Sequence, residues 1–178
     1  MQHKIPERKA TDPRFRWHIE DYFRTDDDWE TAFGALEAAL PEMQAFCGHL
    51  ADSAESLLAC LQKNETLSLS LDHIYTYANM RLHEDSANAF YQGMASRAEQ
   101  LMIRYGAAVS FLTPEILSIP EERLAAFRQE KAADFAVYAH FFDSLLRQKP
   151  HTLSAQEERL LAKTAELGGA PQHIFTML

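Results

Sequence analysis

Two long stretches with helical periodicity occupy the middle of the sequence. Apolar residues of the first keep helical spacing from Leu57 to about Leu82: Leu57, Leu61, Leu67, Leu71, Ile74 and Ala78. Those of the second recur every three or four positions as far as Thr113-Pro114: Phe90, Met94, Ala98, Leu101, Tyr105, Ala108 and Leu112. Because only a short polar turn from His83 to Ser86 separates them, the two helices are predicted to pack antiparallel.

Capping signals predict where the first helices begin. Thr25 precedes three aspartates, which places a cap and negative charge at the start of a helix. The apolar stripe of that helix is Trp29, Phe33, Leu36, Leu40, Met43 and Phe46. Pro41 interrupts the stripe and is predicted to kink or break the helix. Asp52 and Glu55 match a capping box and are predicted to open the first long helix.

Shorter helices are predicted after the second long one. They run from Glu121 to about Gln129, from Phe135 to about Gln148, and from Ala155 to about Leu167 with Gly168-Gly169 as a C-cap. The chain has few glycines and prolines, and the prolines fall mostly between periodic segments. The predicted fold class is therefore all-α, an antiparallel hairpin of two long helices plus several shorter helices.

Composition excludes several classes of partner. Acidic residues outnumber basic ones 26 to 17, and the net charge of -9 is unsuited to binding nucleic acid. The amino terminus is followed by no apolar core of a signal peptide, and no stretch approaches the roughly 20 apolar residues that span a bilayer. We therefore predict a cytoplasmic protein with no nucleic acid and no membrane as partner.

Histidines and cysteines offer few constellations with chemistry. Cys47 and Cys60 are predicted to be free thiols that are buried and act as small apolar side chains. A metal site formed by these two cysteines and His49 would match no structural zinc spacing. Four polar or aromatic residues, His73, Tyr75, Tyr77 and Asn79, are predicted to be core rather than a binding groove. His151 is interpreted as part of a structural joint rather than as a substrate ligand. The predicted catalytic, cofactor-binding and metal residues are none.

A helix-loop-helix joint is predicted from Arg147 to Leu161. Pro150 ends one helix, and Ser154 with Glu157 forms a capping box for the next. The phrase Arg147-Gln148-Lys149-Pro150-His151-Thr152-Leu153-Ser154, followed by glutamates, resembles the oligoendopeptidase F family of zinc metallopeptidases. Other stretches resemble family phrases in the family's order: Ser53–Leu58, Tyr77–Asp85, Ser110–Leu117 and Gly169–Leu178.

The resemblance implies a catalytic motif that this chain does not contain. The family uses a His-Glu-x-x-His helix, in which two imidazoles and a downstream carboxylate bind zinc while the glutamate acts as general base. The nearest match, beginning at His83-Glu84, has Ala87 where the second ligand would stand. No catalytic residue is therefore transferred to this sequence. Zinc is expected in the parent enzyme and not in this chain, which alone is expected to be inactive.

The resemblance also implies a domain organisation. Residues 1–24 are predicted to be an amino-terminal extension, 25–170 a helical lid domain, and 171–178 the start of the connection to an absent catalytic region. The lid would form a wall that restricts access to the active-site cavity of an enzyme hydrolysing short peptides. Its expected partners are the catalytic domain of its own polypeptide and short peptide substrates, with self-association of the fragment as a third. The alternative is a stand-alone helical module for protein interaction without catalytic activity.

Overall fold

The computed structural model describes residues 10–149 of the chain, and all regular structure within this range is helical. Short 3-10 helices cover Pro13–Phe15, Ile19–Asp21, Leu40–Phe46 and Ala136–Tyr138. The α-helices are α1 (Asp26–Ala39), α2 (Ala54–Glu84), α3 (Ala89–Val109), α4 (Leu112–Ser118), α5 (Glu121–Glu130), α6 (Ala132–Phe135) and α7 (Ala139–Gln148). The predicted all-α class is confirmed. None of the helices within residues 10–149 is both long and apolar enough to span a bilayer.

The start and end of α1 follow the sequence prediction. The Thr25 hydroxyl accepts a hydrogen bond from the backbone N–H of Asp28 at 3.1 Å, which satisfies one of the unpaired amides of the first turn. Helix α1 ends at Ala39, and the chain continues as a 3-10 helix with Pro41 in its first turn. The predicted break at Pro41 is confirmed. All members of the predicted apolar stripe are buried except Phe46, which is half-buried.

The predicted capping box at the start of α2 is wrong. Ser53, rather than Asp52, is the N-cap, because its hydroxyl accepts a hydrogen bond from the Ser56 N–H at 3.1 Å. Asp52 lies one residue too early to reach that amide, and its carboxylate instead contacts Nδ1 of His49 at 2.7 Å. The carboxylate of Glu55 binds Lys131 rather than closing a box.

Helices α2 and α3 form the predicted antiparallel hairpin. Near one end of the pair, the Tyr105 hydroxyl donates to the side-chain oxygen of Asn64 at 2.8 Å. At the other end, the Arg81 guanidinium lies 4.9 Å from the centre of the Tyr91 ring. The residue numbers of the contacting partners therefore increase along α2 while they decrease along α3, as expected for antiparallel helices. The turn that joins the helices comes slightly later than predicted, because α2 continues to Glu84.

The end of the second long helix differs from the prediction. Helix α3 stops at Val109, whereas the apolar stripe had predicted helix up to Leu112. Pro114 does not end a helix but lies in the first turn of α4, a position where the missing N–H of proline has no intrahelical partner to lose. Helix α5 agrees with its prediction. The helix predicted from Phe135 is instead divided into α6, a 3-10 turn and α7.

Helix α1 packs beside α3 and runs parallel to it. Glu30 binds Arg97 through two hydrogen bonds of 2.5 and 2.7 Å, and one heptad further along both helices Glu37 binds Arg104. The same guanidinium of Arg97 lies over the Phe33 ring, 4.4 Å from the ring centre. Helices α1, α2 and α3 therefore run up, down and up around one apolar core.

The chain divides into two compact units, Met1–Phe135 and Ala136–Leu178. The described part of the second unit contains α7, in which Phe142 and Leu145 are buried. Several predictions fall outside the described residues: the joint beyond Lys149, including His151, the helix from Ala155 to Leu167 and its glycine cap. The domain boundaries 1–24, 25–170 and 171–178 stay predictions.

The ion pair between Glu30 and Arg97 is expected to make stability depend on pH. Hydrogen bonding to Arg97 lowers the pKa of Glu30 below its ordinary value of 4.5. A lowered native pKa means that the stabilisation is present above the unfolded-state pKa and is lost as pH falls through the native pKa. Because both side chains are more than 40% exposed, Glu30→Gln should cost only about 0.5 kcal/mol at pH 7.

Urea unfolding of the wild type and the variant at pH 7 and near pH 3 tests this dependence. The difference should shrink at the lower pH, because the pH then approaches the lowered native pKa of Glu30. Glu99→Gln on the exposed surface of α3 is the matched control, since no ion pair to Glu99 is formed in residues 10–149. A cost for Glu30→Gln that is equal at both pH values would contradict the expectation.

Candidate functional site

A cleft of about 990 Å³ lies between the segment that precedes α1 and the carboxyl-terminal half of α2. Its volume falls within the ~300–1,000 Å³ of small-molecule and peptide sites in proteins. The cleft is lined by Thr11, Phe15, Arg16, Trp17, His18, Ile19, Asp21, Tyr22, His73, Thr76, Met80, His83 and Glu84. All of these residues belong to the first unit of the chain.

The wall before α1 is a short segment held by local contacts. Asp12 caps the first 3-10 turn, since its carboxylate accepts a hydrogen bond from the Arg14 N–H at 2.9 Å. Ile19 anchors the second turn and is only 2% exposed. Between these two anchors the aromatic rings of Phe15 and Trp17 are 76% and 78% exposed. The segment therefore presents two large apolar side chains to solvent beside the cleft.

Arg16 places a positive charge in the same wall. Its Nε donates a hydrogen bond to the backbone carbonyl of Thr11 at 2.7 Å, and the residue is half-buried. Within residues 10–149 the two terminal nitrogens of Arg16 make no further hydrogen bond. Asp21 supplies a carboxylate elsewhere in the lining, so the cleft contains groups of both signs.

The opposite wall is one face of α2. His73, Thr76, Met80 and His83 are spaced by three, four and three residues, which aligns them along the helix. The Tyr22 ring meets His73 edge-on, with ring centres 5.4 Å apart. This aromatic contact joins the two walls.

A charged cluster around Arg81 joins the helices beside the cleft. The Arg81 guanidinium donates to both carboxylate oxygens of Asp26 at 3.0 and 3.1 Å and to Glu84 at 3.3 Å. Tyr77 donates to the same Asp26 carboxylate at 2.8 Å. The cluster thus ties the start of α1 to the end of α2, while the ring of Tyr91 adds α3.

Burial and hydrogen bonding set the protonation states in this cluster. Burial raises the pKa of Tyr77, and its hydrogen bond to Asp26 raises it further, so the hydroxyl stays protonated. Burial disfavours the charged form of Arg81, but the Asp26 hydrogen bonds outweigh this effect and raise its pKa. The cluster is therefore an ion pair between Arg81 and Asp26 beside a protonated phenol.

The structure separates the four residues that were predicted to be core. Tyr77 is buried, as expected. His73 lines the cleft, and Tyr75 and Asn79 line a separate groove between α2 and α3. The core prediction is wrong for these three, because steps of two residues along a helix distribute side chains over its circumference and only part of that circumference faces the core.

The cysteines follow the small-hydrophobe prediction only at one position. Cys60 is fully buried, and burial, with a smaller effect of Glu115, raises the pKa of its thiol to about 12. Cys47 is half-buried. His49 is exposed and contacts Asp52. A protonated thiol is neither a good nucleophile nor a good zinc ligand.

A zinc site needs at least three ligating side chains that converge on one point. Within residues 10–149 no three side chains of histidine, cysteine, aspartate or glutamate converge where a metal ion could be held. The described residues therefore do not fit zinc. The sequence prediction that this chain contains no catalytic, cofactor-binding or metal residue stays a prediction.

Sequence reasoning missed the cleft. The aromatic residues Phe15, Trp17 and Tyr22 lie in the predicted amino-terminal extension, where the sequence has no helical periodicity. Their density in so short a stretch was the available signal, since exposed aromatic side chains are enriched at binding surfaces.

Comparison with known proteins identifies the relatives of the chain. Residues 115–178 match the family model described as Oligopeptidase F. Oligopeptidase PepF of Bacillus subtilis is 35% identical over 98% of this chain, and group B oligopeptidase PepB of Streptococcus agalactiae is 35% identical over 96%. Over nearly its whole length the chain is similar to members of the oligoendopeptidase F family. The resemblance drawn from the sequence is confirmed.

Two solved structures share the fold of this chain. The crystal structure of oligoendopeptidase F from Enterococcus faecium matches 82% of this chain with a TM-score of 0.68 and 27% identity. A putative peptidase from Chlamydophila abortus matches 97% with a TM-score of 0.78, although at 20% identity it shows the fold alone. The chain spans only 26% and 28% of the lengths of the two oligopeptidases named above, and 29% of each solved structure.

Proposed function

We propose that this chain is the amino-terminal helical region of a zinc-dependent oligopeptidase that hydrolyses short peptides in the cytoplasm. The observation that supports this most is the similarity to Oligopeptidase PepF, which extends over nearly the whole chain while covering about a quarter of that relative. An alignment of this extent is expected when one region of a longer enzyme is compared with the whole.

In this proposal the chain controls which substrates reach the active-site cavity and supplies no catalytic group. Ion pairs, a buried core and the Arg81 cluster connect the three helices of the packed bundle of α1, α2 and α3. A rigid helical wall beside an active-site cavity would admit short, flexible peptides and exclude folded proteins. It would set the length of the substrate without touching the reacting atoms.

The zinc ion of the proposed enzyme would be held outside the described residues. A metal bound by two imidazoles and a carboxylate polarises the scissile carbonyl and lowers the pKa of a bound water. The role proposed for this chain is to orient the substrate and to exclude large competitors. Its partners would be the catalytic region of the same polypeptide and the peptide substrate.

A comparison of substrates by size tests the proposed function. The longest natural polypeptide that contains this chain should cleave a short quenched fluorescent peptide and lose that activity on treatment with a chelator. The same cleavage sequence inserted in a loop of a stably folded protein should resist hydrolysis. Equal cleavage of the peptide and of the folded protein would contradict the access role, and activity that survives removal of metal would contradict the zinc assignment.

A further inference from the structure

The cleft between residues 11–22 and α2 has the features of a ligand site rather than of a packing defect. It is concave, and its volume of about 990 Å³ is at the upper end of the range for small ligands. Its apolar surface comes from the rings of Phe15, Trp17 and Tyr22 and from Met80. Exposed tryptophan and tyrosine beside a concavity are typical of binding hot spots.

The polar groups of the lining restrict the kind of ligand. Arg16 offers two terminal nitrogens, since its hydrogen bond to Thr11 uses only Nε. A guanidinium binds a carboxylate through two parallel hydrogen bonds, which gives direction as well as attraction. Asp21 in the same lining disfavours a purely anionic ligand and favours one that also has a positive end. Glu84 is engaged by Arg81.

We propose that this cleft binds a short, unmodified peptide, with an apolar side chain on the aromatic wall and the terminal carboxylate on Arg16. The choice of a peptide rests on the proposed function, and the site deepens that function by adding a place where substrate or product is held away from the metal. The ammonium end of the same peptide is complementary to Asp21. A flat interface with another protein domain would not need this concavity or groups of both signs.

Binding is measured on the 178-residue chain with the tetrapeptide alanyl-alanyl-leucyl-phenylalanine. Titration calorimetry should give a Kd below about 1 mM. Fluorescence provides a second signal, because Trp17 is 78% exposed while the chain's other tryptophan, Trp29, is fully buried. Bound peptide should shift the emission to the blue and protect the exposed tryptophan from acrylamide.

Matched ligands and variants test each contact. The peptide amide, which lacks the terminal negative charge, should bind about tenfold more weakly than the peptide acid. Arg16→Ala should weaken binding of the acid about tenfold, so that the variant binds the acid and the amide equally well. Trp17→Ala should weaken both peptides about tenfold, read by calorimetry. Arg24→Ala and Ile103→Ala, which remove an arginine and an exposed apolar side chain outside the cleft, should bind as the wild type does.

The outcomes separate this inference from the proposed function. Absence of binding up to about 10 mM peptide, or binding that is unchanged by both cleft variants, would overturn the site even if the longer protein hydrolyses peptides. Equal affinity for acid and amide would overturn the Arg16 contact and with it the proposed orientation. Cleft-dependent binding without hydrolysis by the longer protein would support the site and contradict the peptidase.

Discussion

Trp29→Ala is expected to lower the free energy of unfolding by about 3–5 kcal/mol, the largest effect of any single substitution considered for this chain. Trp29 is fully buried, and its indole N–H donates to the backbone carbonyl of Ile74 at 2.8 Å. Its ring packs against Phe33 and under the Arg97 guanidinium. Alanine would leave a cavity between α1 and α2 and would remove the hydrogen bond that joins them.

Urea unfolding followed by circular dichroism measures this loss, and the chain contains its own control. Trp17→Ala removes the same side chain from a site that is 78% exposed, so stability should change by less than about 0.5 kcal/mol. If Trp29→Ala prevents folding, Trp29→Phe keeps much of the volume, and its loss of about 1–2 kcal/mol can be measured instead. Similar stability for the two alanine variants would show that α1 does not pack on α2 as described.

Arg81→Ala is expected to cost about 2 kcal/mol. Removal of one partner from a fully buried ion pair costs about 3–5 kcal/mol, because the other charge is left without compensation. The side chains of Arg81, Asp26 and Glu84 are 21%, 27% and 17% exposed, so water screens part of that penalty. The variant would leave two carboxylates close together with no cation between them.

Two further variants separate charge from geometry in this cluster. Arg81→Lys keeps the positive charge but cannot bind Asp26 with a fork of two nitrogens or stack on the Tyr91 ring, so about half of the loss should remain. Arg14→Ala is the control for loss of an arginine from an exposed ion pair, and it should leave the unfolding midpoint unchanged. Full rescue by lysine would mean that net charge alone, and not the observed hydrogen bonds, stabilises the helix ends.

Local signals in the sequence were sufficient for the helices near their caps. Thr25 with its aspartates and Pro41 define α1, because capping and the missing proline N–H act within one turn and need no tertiary partner. The antiparallel hairpin was also predictable, since two long apolar stripes joined by four residues have few other ways to bury their faces. The fold class could therefore be predicted from spacing alone.

The spacing of apolar residues in the sequence did not predict the contacts between segments that are distant in sequence. The choice of Ser53 over Asp52 as cap depends on a shift of one residue, and Pro114 is compatible with both the end and the start of a helix. The Arg81 cluster joins residues 55 positions apart, so no local pattern indicates it. The cleft needs two segments brought together by folding, and its aromatic wall lies where the sequence has no periodicity.

We propose that this chain supplies access and substrate holding to an oligopeptidase, and not its catalytic groups. The most direct test compares hydrolysis of one short quenched peptide by residues 1–178 alone and by the longest natural polypeptide that contains them, each with added zinc. We predict no turnover by the 178 residues and metal-dependent turnover by the longer protein. Zinc-dependent hydrolysis by the 178-residue chain itself, or none by the longer protein, would contradict the account.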